Sequence, residues 1–367
     1  MKNKKIKKLC CILTPLIIIF SIVLCCNIYK CSSFEYSKQP SYAVNSTKDI
    51  YVYPGGIPIG IKLNTKGVLV VALCEVETTD GKVVTPAAEA DIKVGDDIVK
   101  INGRDITNCD DVMTDINSSD GNKITLLIER NGQDIDKAVT PVKSSKDSSY
   151  KIGLWIRDST SGVGTLTFYD QNSHKFAALG HPITDVDTGT ILSINSGEIV
   201  PSSIISIKKG QRGYPGELCG IFTDEENRLG RIKSNTKCGI YGEADNTILN
   251  KLKIKPMQVG LNNEVHTGKA KVLTTISGNK VKAYDIEIEK LLSKNEVGAK
   301  SMVIRITDKE LIKRTGGIVQ GMSGSPIVQD NKIVGAVTHV LINKPDTGYA
   351  IYIEWMLKEA GMLYNVN

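Results

Sequence analysis

A chain of 367 residues with 41% hydrophobic but only 5% aromatic content, 33 glycines and 12 prolines has room for two or three domains and reads as turn-rich β structure, not a helical bundle. The formal charge of +6 is modest, and Lys2, Lys4, Lys5, Lys7 and Lys8 crowd the extreme N-terminus. The remainder is close to balanced, which excludes a nucleic-acid-binding stripe.

Behind the lysines, residues 9–28 (LCCILTPLIIIFSIVLCCNI) carry no charge. That length suits a bilayer span better than a signal-peptide core, and residues 29–39 lack a small-x-small cleavage pattern. Residues 1–30 are therefore expected to form an uncleaved transmembrane signal anchor. The preceding lysines keep the N-terminus cytoplasmic, so the body lies on the extracytoplasmic side. Polar residues 31–50 follow as a linker. Five of the nine cysteines lie in or beside the anchor. Cys74, Cys109, Cys219 and Cys238 show no paired metal spacing, leaving a Cys219–Cys238 disulfide or four isolated thiols.

From residue 51 the chain alternates in β fashion. A glycine-rich turn enters the strand-like GIPIGIKL, and PAAEADIKVGDDIVKINGRDI then gives a short helix, a Gly-Asp turn, a strand at 98–101 and an Asn102-Gly103 turn. A helix at 110–116 and a strand at 124–129 close the unit. Residues 51–142 resemble a PDZ domain, which binds an extended peptide by strand addition while loop amides hold a carboxylate. The resemblance implies that Gly55, Gly56, Ile57, Ile59 and Gly60 form that loop. The loop departs from the usual Gly-Leu-Gly-Phe pattern, and Pro58 removes one amide donor, which weighs against terminal-carboxylate capture. An internal segment, or the protein's own linker, is the alternative ligand.

A Ser/Lys junction precedes residues 150–367, where short strands at 164–169, 199–207, 270–276, 281–288 and 302–306 alternate with Gly, Pro, Asn and Asp turns. Without helical crossovers, this pattern predicts a sandwich or barrel. Only EWMLKEAGML near the C-terminus reads as helix.

The chemistry is concentrated in GGIVQGMSGSPIVQ. Glycines flanking Ser323 allow backbone angles that turn the Gly321 and Ser323 amides into one concavity, the geometry an oxyanion needs. A strand over 332–340 returns behind the loop. Of the four histidines, His181 stands at a strand end in ALGHPITDVDTG, before an acidic loop. A serine nucleophile needs such a base, and a group that orients it. Asp185, Asp187, Asp285 and Asp308 all remain candidates for that group on the residues alone. His339, on the returning strand, is a candidate to hydrogen-bond a Gln or Glu side chain of a substrate. His174 and His266 read as solvated loop residues.

G-x-S-G-x-P resembles the nucleophile loop of chymotrypsin-like serine peptidases. Taken with the PDZ-like unit and the segments TDKELIKRTGGIVQGMSGSPIVQ, VGAVTHV and GYAIYIEWML, the chain resembles the SpoIVB family of sporulation signalling serine peptidases. The resemblance implies a mainly β protein with a chymotrypsin-like double β-barrel, Ser323 as nucleophile, His181 as base and Asp308 as acid. It implies no cofactor or metal. It also implies self-cleavage, then cutting of a membrane regulatory protein that restrains an intramembrane protease, in the space between the forespore membranes, so that a late sigma factor is activated. As a bare residue, Asp308 before Lys-Glu-Leu-Ile is equally a helix N-cap. Two other readings are a non-catalytic PDZ scaffold and an HtrA-like quality-control peptidase, although in the latter the peptidase precedes the PDZ domain.

Overall fold

The computed structural model describes residues 50–252, 255–292 and 296–363. The anchor expected at 1–30 and nearly all of the 31–50 linker lie outside them. Among the described residues, no helix is long and apolar enough to cross a membrane.

Two strands, β1 (Tyr51–Pro54) and β2 (Pro58–Leu73), open the described chain. β2 has a division of labour along its length. Its first half puts Ile59, Ile61 and Leu63 into one apolar core, and its second half puts Val68 and Val70 into another. Gly67, at φ +83°, lies between the two halves, where a Cβ would meet the Ile98 carbonyl oxygen at 2.5 Å.

The second half of β2 pairs with the strand Asp97–Ile101, which pairs in turn with Ile124–Arg130. The helix Cys109–Ser118, capped by the Asn108 side chain on the Asp111 amide, buries Val112 and Ile116 in the same core. On the other side of β2, residues 154–157 of the long strand Leu154–Tyr169 run antiparallel, with Leu154 opposite Leu73 and Ile156 opposite Val70. The chain's own Ile152, Leu154 and Ile156 pack with Val112 and Ile116.

The same two long strands then enter a closed ring. The first half of β2 pairs with Leu154–Tyr169 and with Ile194–Lys208. Leu154–Tyr169 pairs with Lys175–Ala178, which pairs with Gly239–Ala244. Gly239–Ala244 pairs with Gly230–Thr236, and that strand returns to Ile194–Lys208. A second ring runs through Gly268–Thr274, Lys282–Leu291, Met302–Ile306, Lys344–Tyr352, Lys332–Leu341 and Pro326–Gln329 back to its start. Closing each ring leaves no free sheet edge within it. The protein is mainly β: two antiparallel barrels, with the smaller PDZ-like core carried between β2 and Leu154–Tyr169.

This arrangement corrects the expected peptide-binding loop. Gly55 and Gly56 donate their amides to Thr167 O at 2.9 Å and Leu166 O at 2.8 Å. Ile57 and Ile59 are buried in the first barrel, and a Cβ on Gly60 would meet the Phe222 ring at 2.5 Å. Gly55, Gly56 and Ile57 form the turn from β1 into β2, Ile59 and Gly60 pair in the barrel on both sides, and the Gly55 and Gly56 amides are already used. The four described cysteines are free thiols, with no Cys219–Cys238 disulfide.

Candidate active site

Four of the expected residues, His181, Gly321, Ser323 and His339, meet in one cavity of about 610 Å³, which Thr338 also lines. Its walls come from both barrels: Ile61 and Leu179 belong to the first core, Val319 and Val340 to the second or its margin.

The serine loop is held from beneath. Gly321 and Gly324 adopt φ of +92° and +93°, the left-handed region that favours glycine. Thr165 Oγ1 donates to Gly321 O at 2.7 Å, and the Thr165 amide donates to Ser323 O at 3.2 Å. The Gly324 amide donates to Val337 O at 2.8 Å. Buried Ser325 donates its hydroxyl to Thr274 Oγ1 at 2.9 Å. Among the described residues, neither the Gly321 nor the Ser323 amide has a protein acceptor. Two donors are thus left over in the loop where oxyanion donors were expected. Ser323 Oγ itself donates to Thr338 O at 2.8 Å.

His181 follows the strand Lys175–Ala178, whose end turns through Leu179 and Gly180 at positive φ. Its Nδ1 lies 2.8 Å from Pro182 O. Burial pushes its pKa below the ordinary histidine value, against the raising effect of that hydrogen bond. His339, opposite Tyr349 in the second barrel, sets its ring centroid 5.1 Å from that of His181. Burial, then the His181 and Lys300 charges, push the His339 pKa down to about 4. Its Nδ1 is buried and has no hydrogen-bond partner among the described residues. Both imidazoles are therefore neutral at pH 7. His174 and His266 stand outside the cavity, bonded to the Tyr169 hydroxyl and to Asp330.

The four candidate acids do not join this group. Asp308 caps the helix Lys309–Thr315, accepting the Leu311 amide at 2.9 Å, and its own amide donates to Asp285 O. Asp285 pairs with Lys271 at 2.7 Å. Buried Asp185 pairs with Arg157, as does Asp187 at 2.8 Å, and Asp185 also accepts the Asp187 and Thr188 amides. The triad acid that the resemblance assigned to Asp308 is thus not assembled here, because the cap engages that carboxylate. Asp308→Ala is expected to cost ~1 kcal/mol of stability, whereas Asp308→Asn, which caps equally well, costs a few tenths at most. Denaturant midpoints of the two variants check this, and equal losses would contradict the capping role.

Three contributors were not foreseen from the sequence: the Thr338 carbonyl, the Thr165 support and Asn235. The last bonds Ile183 from a position 52 residues away. No local pattern marks any of them, since each acts through the backbone of a distant segment.

A serine hydroxyl, a neutral imidazole and two uncommitted amides around one cleft are the equipment of acyl transfer to water, and the chain is a serine peptidase that carries a PDZ domain. More particularly, it belongs to the SpoIVB peptidase S55 family, whose model matches residues 148–357. The PDZ domain model matches residues 55–140. A Lactococcus lactis subsp. lactis (strain IL1403) protein described as a zinc metalloprotease, LL2128, is 31% identical over 102 residues, which are 28% of this chain. The chain spans only 22% of the length of that relative. The PDZ domain of an SdrC-like protein from Listeria monocytogenes is similar at 20% identity and TM-score 0.20, covering 25% of this chain and 87% of that one. The active form of the Rv3671c protease from M. tuberculosis is similar at 13% identity and TM-score 0.35, covering 57% of this chain and 76% of that one.

Proposed function

We propose that this protein is an exported, membrane-anchored serine endopeptidase of sporulation, with a chymotrypsin-like pair of barrels, that acts as a signal by cutting first itself and then a membrane regulatory protein. The observation that carries this reading is the meeting of Ser323, His181 and the unpartnered Gly321 and Ser323 amides in one cleft between two closed barrels.

In the proposed reaction, Ser323 Oγ turns from Thr338 O toward His181 Nε2, which takes its proton as the hydroxyl attacks the scissile carbonyl. The Gly321 and Ser323 amides receive the developing oxyanion. His181 then returns the proton to the leaving amine, and water repeats the cycle on the acyl-enzyme. His339, uncharged at the cleft wall, favours a neutral hydrogen-bonding side chain such as Gln at the adjacent substrate position. Its charged form is suppressed, so it offers Glu no ion pair. The PDZ-like core presents or restrains substrate by strand addition. By family membership, the regulatory substrate is one that restrains an intramembrane protease, and its loss activates a late sigma factor.

Self-cleavage tests the signalling part. Incubated full chain is expected to yield a new N-terminus within the polar residues 31–50, the kind of linker that proteases favour, and Ser323→Ala is expected to remain uncut. An intact Met1 after prolonged incubation of active protein would contradict the proposal.

A further inference from the structure

The Pro182–Ile183 peptide unit is gripped from both sides. Its carbonyl oxygen lies 2.8 Å from His181 Nδ1. A carbonyl can only accept, so Nδ1 carries the hydrogen and Nε2 keeps the lone pair that a base needs. The N–H of the same peptide unit, on Ile183, donates to Asn235 Oδ1 at 2.8 Å. Asn235 Nδ2 donates in turn to Ile183 O at 2.8 Å and to Leu192 O at 3.0 Å. The Leu192 amide also donates to Ile183 O, at 3.1 Å. Asn235 is fixed near the end of the strand Gly230–Thr236, opposite Ile240 in the first barrel. Among the described residues, the only hydrogen bond of His181 is to the Pro182 carbonyl.

We propose that Asn235 is the positioning residue for His181, fixing the plane and tautomer of the imidazole through the Pro182–Ile183 peptide. This rests on the reading of Ser323 and His181 as nucleophile and base. An acceptor on the N–H of a peptide polarises the C=O of the same unit, so the Asn235 and His181 hydrogen bonds strengthen each other. The amide side chain also offers both an acceptor and donors, so it locks the peptide plane against rotation where a carboxylate supplies only the acceptor. Asn235 thus fixes the ring by way of one peptide group, where a triad acid does so by direct contact. The titratable group facing His181 across the cleft is His339, with Lys300 beyond it.

The test uses the full chain carrying Asn235→Ala or Asn235→Asp, with Ser323→Ala as reference. Asn235→Ala is expected to lower kcat ~10- to 100-fold with KM little changed, the scale of loss when a catalytic group is misplaced by about an ångström. Nitrogen-15 spectra of the His181 ring are expected to show its Nδ1–H tautomer reduced. Asn235→Asp keeps the acceptor for Ile183 N–H, so it is expected to recover most of kcat and to move the acidic limb of the pH profile upward, because a nearby negative charge favours the imidazolium. Wild-type kcat and tautomer in Asn235→Ala would overturn the proposal. So would equal losses in both variants with an unmoved acidic limb. If the alanine variant does not fold, the aspartate variant decides alone, and an unmoved acidic limb overturns the proposal. Hydrolysis surviving in Ser323→Ala would instead remove the nucleophile assignment on which the inference rests.

Discussion

Ser323→Ala and His181→Ala are each expected to lower kcat/KM for peptide hydrolysis by ~10⁴- to 10⁶-fold, the loss seen when a serine nucleophile or its base is removed. The double variant is expected to be no slower than the worse single one, because the two groups act on the same proton and their losses do not add. The residual rate, above that of water, belongs to the Gly321 and Ser323 amides and to substrate binding. Only the neutral His181 accepts the serine proton, and burial lowers its folded pKa below the ordinary ~6.5. Activity therefore persists at pH values where a solvated histidine is already charged, and the acidic limb of kcat/KM falls below 6.5. A limb at or above that value would mean that His181 has a carboxylate partner in the free enzyme.

The second large effect is expected at Gly324. A Cβ there would lie 2.2 Å from Thr165 O and 2.5 Å from the Leu179 amide, both backbone atoms with nowhere to move. The residue also sits at φ +93°, strained for any side chain. Gly324→Ala is expected to cost about 3 kcal/mol or more in stability. Whatever protein still folds is expected to lose ~10²-fold in kcat, since the Ser323 loop can relieve the clash only by shifting. Gly132→Ala is the control. Its φ of +76° is also positive, but its Cβ would meet nothing within 4 Å. That variant is expected to lose only the ~1 kcal/mol of left-handed strain and no activity. Similar losses in the two variants, read from thermal unfolding and steady-state rates, would place the Gly324 effect in backbone conformation and not in the close approach.

The serine loop was legible because it is local: Gly321, Gly324 and the returning strand Lys332–Leu341 fall within a short segment whose turn chemistry is written in its glycines. The Asp308 cap was legible for the same reason, as was the helix Ile353–Glu359. The role of β2 was not. Its apolar alternation reads identically as a PDZ strand or a barrel strand, and the choice is made by partners far away, such as Gly164 and Pro201 opposite Ile59. The polar stretch at 64–67 divides the two halves of β2, but on the sequence alone it does not say that each half enters a different core. Sequence reasoning also expected a side-chain acid behind His181, whereas the partner it has is a backbone carbonyl. Any residue can supply one, so no residue type signals it.

The most direct test of the central claim is labelling of the full chain by a fluorophosphonate, which reacts with an activated serine and ignores an ordinary hydroxyl. The wild-type protein is expected to label at Ser323, with labelling abolished in Ser323→Ala and His181→Ala. Folded wild-type protein that stays unlabelled in the presence of peptide substrate, or labelling that survives in Ser323→Ala, would contradict the account.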